Sequence, residues 1–227
     1  MIVAVIPALD EEGCIDEVVR GVRPHVDHVV VADNGSRDRT GEVARGAGAR
    51  VVVEPERGYG AACLRGIVEA RALGAEWLLF CDADGSDDPD DAPRLIAPAR
   101  AGEADLVLGV RSEVEPGAMT PVQRFGNWLA PMLMRTLFHA PYHDLSPFKV
   151  VRRATLDRLD LRDRAHGFTI ELLLKAHAAR VSTREVPVRC RRRRAGESKV
   201  SGTVVGSARA AAKIVGSIAR HAAASRG

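Results

Sequence analysis

The sequence predicts an α/β fold: a doubly wound, mostly parallel sheet with helices on both faces. Three observations predict it. Short unbroken apolar runs recur at Met1 to Leu9, Val29 to Ala32, Val51 to Val53, Trp77 to Phe80 and Asp105 to Val110, the form taken by strands covered on both faces. Segments of helical length separate them, the alternation that gives a layered sandwich with right-handed crossovers. Each run also ends in polar residues, which gathers chemistry at the C-terminal edge of the sheet, where open α/β sheets bind ligands.

The first strand carries Pro7 near its end, where a missing N–H is tolerated. Asp10, Glu11 and Glu12 follow, and as the first turn of a helix they would complement its dipole. The second strand runs into Asp33-Asn34-Gly35-Ser36, placing a carboxylate where a base or ribose can be held, while Ser36 or Asp38 suits the cap of the next helix. After the third strand, Arg57-Gly58-Tyr59-Gly60 opens a helix whose glycines allow close backbone approach to a ligand.

The fourth strand ends in Cys81-Asp82-Ala83-Asp84-Gly85-Ser86-Asp87-Asp88-Pro89. Two carboxylates one residue apart can aim hard oxygen ligands at one divalent cation. The same residues also suit an acidic turn. A helix around Asp90 to Ala99 and a fifth strand ending in Arg111 complete this half.

Beyond Thr120 the pattern changes. Gln123 to Phe138 reads as an apolar helix interrupted by Arg124 and Asn127, His143 to Val151 as a loop feeding a strand, His166 to Ala179 as a helix carrying Glu171, and Val181 to Arg189 as a strand rejoining the sheet. Arg191 to Arg194 then form the densest basic run, either a solvated loop or a phosphate grip.

Length and composition set bounds. At 227 residues and 46% hydrophobic content the chain suits one globular domain with a substantial core. A net charge of +3 requires no nucleic-acid partner, and 4% aromatic content, with none in the basic run, argues against a stacking RNA module. Cys14, Cys63, Cys81 and Cys190 lack metal or disulfide spacing, no signal segment precedes the first strand, and no apolar run approaches the roughly 18 residues of a membrane span. Reduced thiols in a cytoplasmic protein are expected, with any membrane contact peripheral.

Seven stretches together resemble family 2 glycosyltransferases, in particular the dolichyl- and polyprenyl-phosphate sugar transferases. They are V-I-P-A-L-D-E-E (5–12), A-D-N-G-S-R-D-R-T (32–40), E-R-G-Y-G-A-A (56–62), D-A-D-G (82–85), G-V-R (109–111), D-L-S-P-F (144–148) and R-A-G-E-S-K (194–199). The resemblance implies a GT-A fold of Rossmann-like character, with residues 1–112 binding the nucleotide sugar, 113–202 forming the acceptor half of the same domain, and 203–227 a C-terminal amphipathic helix. That helix suits either core packing or an interfacial position on anionic lipid.

Carried onto this chain, the family pattern assigns the nucleotide sugar to Pro7, Ala8, Glu11, Asp33, Arg57, Gly58, Asp82 and Ala83. Mg²⁺ or Mn²⁺ falls to Asp82 and Asp84, with Ser86 where many polyprenyl-phosphate transferases have Gln. The acceptor phosphate falls to Arg111, Arg124, Arg193 and Lys199. Asp144 and, second, Glu171 are the catalytic carboxylates. The implied reaction is a single inverting displacement from a nucleoside-diphosphate sugar to a lipid phosphate, or to a soluble small-molecule or glycan hydroxyl. A non-catalytic sugar-nucleotide-binding protein is the weaker alternative. Asn34 departs from the paired Asp common in the family. A nucleotidyltransferase would need a Gly-rich basic loop after the first strand, and Pro7 to Glu11 is not one.

Overall fold

The computed structural model describes residues 1–193. Lys199 and the expected helix over 203–227 therefore lie outside the described residues. The strands are β1 (Ile2–Ala8), β2 (His28–Asp33), β3 (Arg50–Val53), β4 (Trp77–Phe80), β5 (Leu106–Val114), β6 (Lys149–Arg152) and β7 (Thr183–Cys190). Helices α1 (Ile15–Val22), α2 (Thr40–Gly46), α3 (Tyr59–Ala72), α4 (Ala92–Arg100), α5 (Pro121–Phe138), α6 (Arg153–Leu159) and α7 (Phe168–Ala178) connect them.

The seven described strands join one sheet in the order β3-β2-β1-β4-β6-β5-β7. Of these, β6 alone runs antiparallel to its neighbours. Strand alternation divides the core into two layers. Val3, Val5, Leu78 and Phe80 face α3 and α7, whereas Ile2, Ala4, Ile6 and Leu79 face α1 and α4. Each such fully buried aliphatic or aromatic side chain contributes about 1.5–3 kcal/mol.

The order reverses at β1: β2 and β3 extend one way, and β4 starts the other side. Such a switch point opens a crevice at the strand ends. Register widens it here, because β4 pairs with β1 only as far as Val5↔Phe80, while β1 continues beside β2 to Ala8↔Asp33. Pro7 sits on this overhang, past the last β4 partner.

Local structure departs from expectation in one place that matters. Asp10 to Glu12 do not form the first turn of a helix, since α1 begins at Ile15 and Asp10 adopts φ 51°. The outer two carboxylates bind backbone instead: Asp10 accepts from the N–H of Arg37 at 2.7 Å and Glu12 from that of Arg39 at 3.0 Å. The two strand-end loops flanking the crevice are thereby tied together.

Helix α3 lies against β1 at a glycine. A Cβ on Gly66 would come within 2.3 Å of Val5 Cγ1, and Val5 is fully buried. Gly66→Ala is therefore expected to destabilise the fold by about 1–3 kcal/mol through overpacking, read as a lowered urea midpoint with unchanged slope.

Candidate active site

The crevice between β1 and β4 holds a cavity of about 480 Å³, within the range of small-ligand sites. Volume alone does not single it out, because a hollow of about 470 Å³ lies between α3 and α6. Its lining does. Pro7, Ala8 and Glu11 come from the end of β1, Arg57 and Gly58 from the turn into α3, Asp82, Ala83 and Asp84 from the end of β4, and Arg193 from beyond β7. Nine residues selected from the sequence thus meet in one cavity. Asn34, Tyr59, Gln123 and His166 line it as well.

Asp33 is not in that lining. Its Oδ1 accepts the N–H of Ser36 at 2.8 Å, closing the turn after β2. Asn34 lines the cavity in its place. Buried at 4% exposure, its amide donates to the carbonyls of Glu54 and Glu56 and accepts from the N–H of Gly58. An Asp could not donate to those carbonyls, which accounts for the departure from the paired-Asp pattern.

The glycines leading into α3 serve the chain itself. A Cβ on Gly58 or Gly60 would sit 2.0 Å from a carbonyl oxygen of Arg164 or Asp163. The N–H groups of Gly60 and Ala61 donate to Ala165 and Arg164 at 2.9 Å. The close approach expected toward a ligand is made to the 163–165 loop, which carries Ala165 and His166 into the cavity.

Glu171 anchors that loop. Its Oε2 accepts from the N–H groups of Arg162 and Asp163 at 2.9 and 2.7 Å, and Lys175 lies 2.8 Å from Oε1. Burial raises its pKa, but the Lys175 and backbone bonds outweigh burial and leave it lowered. Expected as a second base, Glu171 lies outside the cavity lining with both oxygens occupied, so it positions the loop.

The acidic stretch divides by task. Asp88 and Asp91 are fully buried and pair with Arg189 and Arg191. Asp87 accepts the N–H of Asp82 at 2.9 Å, and burial pushes its pKa up to about 7. Asp82 and Asp84 face the cavity. Burial, reinforced by Asp84 and Asp87, pushes Asp82 well above the usual carboxylate range. Its Oδ1 is buried without a hydrogen-bond partner among the described residues. Asp84 binds Arg193 Nη2 at 2.9 Å, and Arg193 also lies 3.2 Å from Glu11.

An orphaned buried carboxylate oxygen beside a second carboxylate paired with a guanidinium fits a divalent cation. Among the described residues no group of three acidic, His or Cys side chains forms a cage. The remaining coordination positions would fall to ligand and water oxygens, as suits a cation shared with a diphosphate. Ser86 is outside the lining; its N–H donates to Asp84 and its carbonyl accepts from Arg191.

The residues expected to grip an acceptor phosphate do not converge. Arg111 forms a bidentate pair with Asp144, which also accepts the Arg111 and Leu145 N–H groups. Burial works against the Arg111 charge, but the bond to Asp144 prevails and raises its pKa. Arg124 is exposed on α5. Arg193 sits in the carboxylate cavity.

Sequence alone assigned no role to Lys149. Its antiparallel strand sets it opposite Phe80, at the root of the carboxylate loop. It is fully buried, and Nζ bonds the Ser146 carbonyl at 3.0 Å and Thr169 Oγ1 at 3.3 Å. Burial lowers its pKa to about 8, and Cys63, Asp82 and Asp87 oppose the drop. It is an internal counter-charge to the cavity's acids, hidden from sequence because β6 looks like an ordinary apolar strand.

The profile of the family described as "Glycosyl transferase family 2" matches residues 3–160. The chain belongs to glycosyltransferase family 2. An uncharacterized glycosyltransferase of Mycobacterium tuberculosis (strain ATCC 25618 / H37Rv) is 39% identical over 91% of this chain and 92% of its own length. The polyprenol monophosphomannose synthase of Mycolicibacterium smegmatis is 31% identical over 88% and 80%. The undecaprenyl-phosphate mannosyltransferase of Micrococcus luteus is 32% identical over 79% and 78%. Among solved structures, the M. tuberculosis glucosyl-3-phosphoglycerate synthase bound to phosphoglyceric acid superposes with TM-score 0.78 at 25% identity, over 96% of this chain and 78% of that one. The same enzyme with Mn²⁺, UDP-glucose and phosphoglyceric acid gives 0.79 at 24%, over 98% and 80%. Family and GT-A fold stand as the sequence implied.

Arg193 is bonded to the Asp84 carboxylate that a cation there would use. In the donor-free family 2 protein, Arg193→Met is expected to bind Mn²⁺ about tenfold tighter by calorimetry, since one charge-assisted contact no longer competes; unchanged or weaker binding would show that the guanidinium is not a rival for that carboxylate.

Proposed function

We propose that the chain moves a glycosyl group, with inversion, from a nucleoside-diphosphate sugar to the phosphate of a polyprenyl lipid. The observation that carries the donor half is the meeting of Glu11, Asp82, Asp84 and Arg193 at the β1/β4 switch point. Asp82 and Asp84 would hold Mg²⁺ or Mn²⁺, which supplies Lewis-acid neutralisation of the departing diphosphate. Pro7, Ala8, Asn34, Arg57 and Gly58 enclose the nucleoside end. A fold neighbour crystallised in complex with Mn²⁺ and UDP-glucose supports this choice of ion. The proposed setting is the cytoplasmic side of a membrane.

Two observations support the lipid phosphate. The relatives at 31% and 32% identity are a polyprenol monophosphomannose synthase and an undecaprenyl-phosphate mannosyltransferase. Asp144 is tied to Arg111 by two parallel bonds and is poorly placed to abstract a proton. A phosphate oxygen is already anionic and needs little deprotonation, whereas a hydroxyl acceptor requires a base. In this reading Arg111 faces the incoming phosphate, and Asp144 fixes the Arg111 fork.

A soluble phosphorylated acceptor is the second reading, favoured by the glucosyl-3-phosphoglycerate synthase neighbours. It keeps the donor site and changes only what enters from the α5 side.

A thermal-shift panel of nucleoside diphosphates with Mn²⁺ tests the donor site, since ligand bound only to the folded state raises its stability. One nucleoside is expected to stabilise the protein with Mn²⁺ and not with chelator, and Asp84→Ala to abolish that shift. A shift indifferent to chelator would remove the cation from the site. For the acceptor, Asp144→Asn is expected to lower turnover by only about tenfold with a polyprenyl phosphate, against the roughly 10²–10⁴-fold that loss of a general base costs. A loss in the larger range, or transfer to hydroxyl acceptors alone, would overturn the lipid-phosphate reading.

A further inference from the structure

Helix α5 is amphipathic in the wrong sense for a purely internal element. Ala130, Pro131 and Met134 face the core. The opposite side exposes Val122 (43%), Phe125 (58%) and Trp128 (57%), and the two rings lie together with centroids 5.9 Å apart. This chain is sparing with aromatics and buries Trp77, Phe80, Tyr142, Phe148 and Phe168. Among the described residues, Phe125 and Trp128 are the only exposed aromatics.

Charge identifies what would cover them. The eighteen residues of α5 include Arg124 and Arg135 and no Asp or Glu. Eleven residues apart, the two arginines fall three turns along the same side of the helix, at one margin of the apolar arc, and both are exposed. An apolar stripe with aromatic anchors and a cationic border is the design of a helix lying in a lipid interface. A second copy would bring the same arginines together. Residues 194–227 carry six Arg or Lys against one Glu, so that segment does not complement the border either. No described helix is long and apolar enough to span a bilayer.

We infer that α5 docks this protein on an anionic membrane surface through Phe125, Trp128 and Val122, with Arg124 and Arg135 against the headgroups. The inference rests on the lipid-acceptor reading for its purpose, though not for its geometry. Gln123, on the first turn of α5, lines the donor cavity. A capping box with Thr120 fixes that turn. Docking would therefore hold the N-terminal turn of α5, one wall of that cavity, within a helix diameter of the lipid surface.

Trp77 and Trp128 are the only tryptophans, and Trp77 is 7% exposed, so Trp128 is a built-in reporter. The full chain is mixed with phosphatidylcholine vesicles, with and without phosphatidylglycerol. Tryptophan emission is expected to shift to the blue and to be quenched by brominated acyl chains only when phosphatidylglycerol is present. Phe125→Ser/Trp128→Ser is expected to partition into those vesicles about tenfold less, while its transfer to a short-chain prenyl phosphate in solution is unchanged. Emission that does not move, or a double variant that still floats with the vesicles, would overturn the inference. So would self-association in light scattering that the double variant abolishes, which would make a second copy the occupant. Emission already blue and shielded from acrylamide without vesicles would assign the face to residues 194–227, with the same result. Vesicle docking as expected but no transfer to any prenyl phosphate would support the docking face and refute the acceptor reading alone.

Discussion

Six carboxylates fall within ten residues at the end of β4, Asp82 to Asp91, and the rest of this molecule is arranged around their mutual repulsion. Desolvating one carboxylate costs on the order of several kcal/mol even after relaxation, yet Asp88 and Asp91 are fully buried. The compensation comes from the far end of the chain. Arg189 and Arg191 bind Asp88, Arg189 also binds Asp91, and Arg193 reaches Asp84. These arginines alternate along an extended backbone, so they share one face, while the N–H of Arg192 turns to Glu115 on the other side. The basic run is neither a solvated loop nor wholly a phosphate grip: its described part is the counter-charge of the acidic loop.

This arrangement couples the β1/β4 cavity to the second half of the chain. β7 pairs with β5 through to Cys190, and an isolated bridge links Cys190 to Asp87. β6 inserts between β4 and β5 and brings Lys149 beneath the carboxylates from the opposite direction. The loop that presents Asp82 and Asp84 is bonded by arginines, and the buried Lys149 charge lies near it without bonding it. Of its two cavity-facing carboxylates Asp84 is met by Arg193, whereas Asp82 keeps one buried oxygen without a hydrogen-bond partner among the described residues, and that oxygen is what makes a cation welcome there.

The same economy explains why several motif residues turn inward. Asn34 bridges three backbone groups, two of them carbonyls to which an Asp could not donate. Glu171 accepts two N–H groups and an ion pair to hold the 163–166 loop against α3. Gly58 and Gly60 let that loop approach. Asn34 and Gly58 line the cavity while Glu171 and Gly60 stand behind it, and together they set where Tyr59, Ala165 and His166 stand.

Much was legible in the sequence because it is local. Apolar runs give strands, and the polar residues at their ends must fall at one edge of a parallel sheet, which is why Pro7, Glu11, Arg57, Asp82 and Arg193 share a cavity. Sequence did not decide which of those side chains face a ligand and which are spent on the protein. Asp33 and Asn34 are adjacent, yet only Asn34 lines the cavity, and Asp84 and Asp87 part in the same way, according to what β3, α3 and β7 bring against them. Nor does sequence reveal that Lys149 lies under the acids, or that the aromatic side of α5 faces out. Pairing partners and burial are set by contacts between residues tens of positions apart, and no local pattern encodes them.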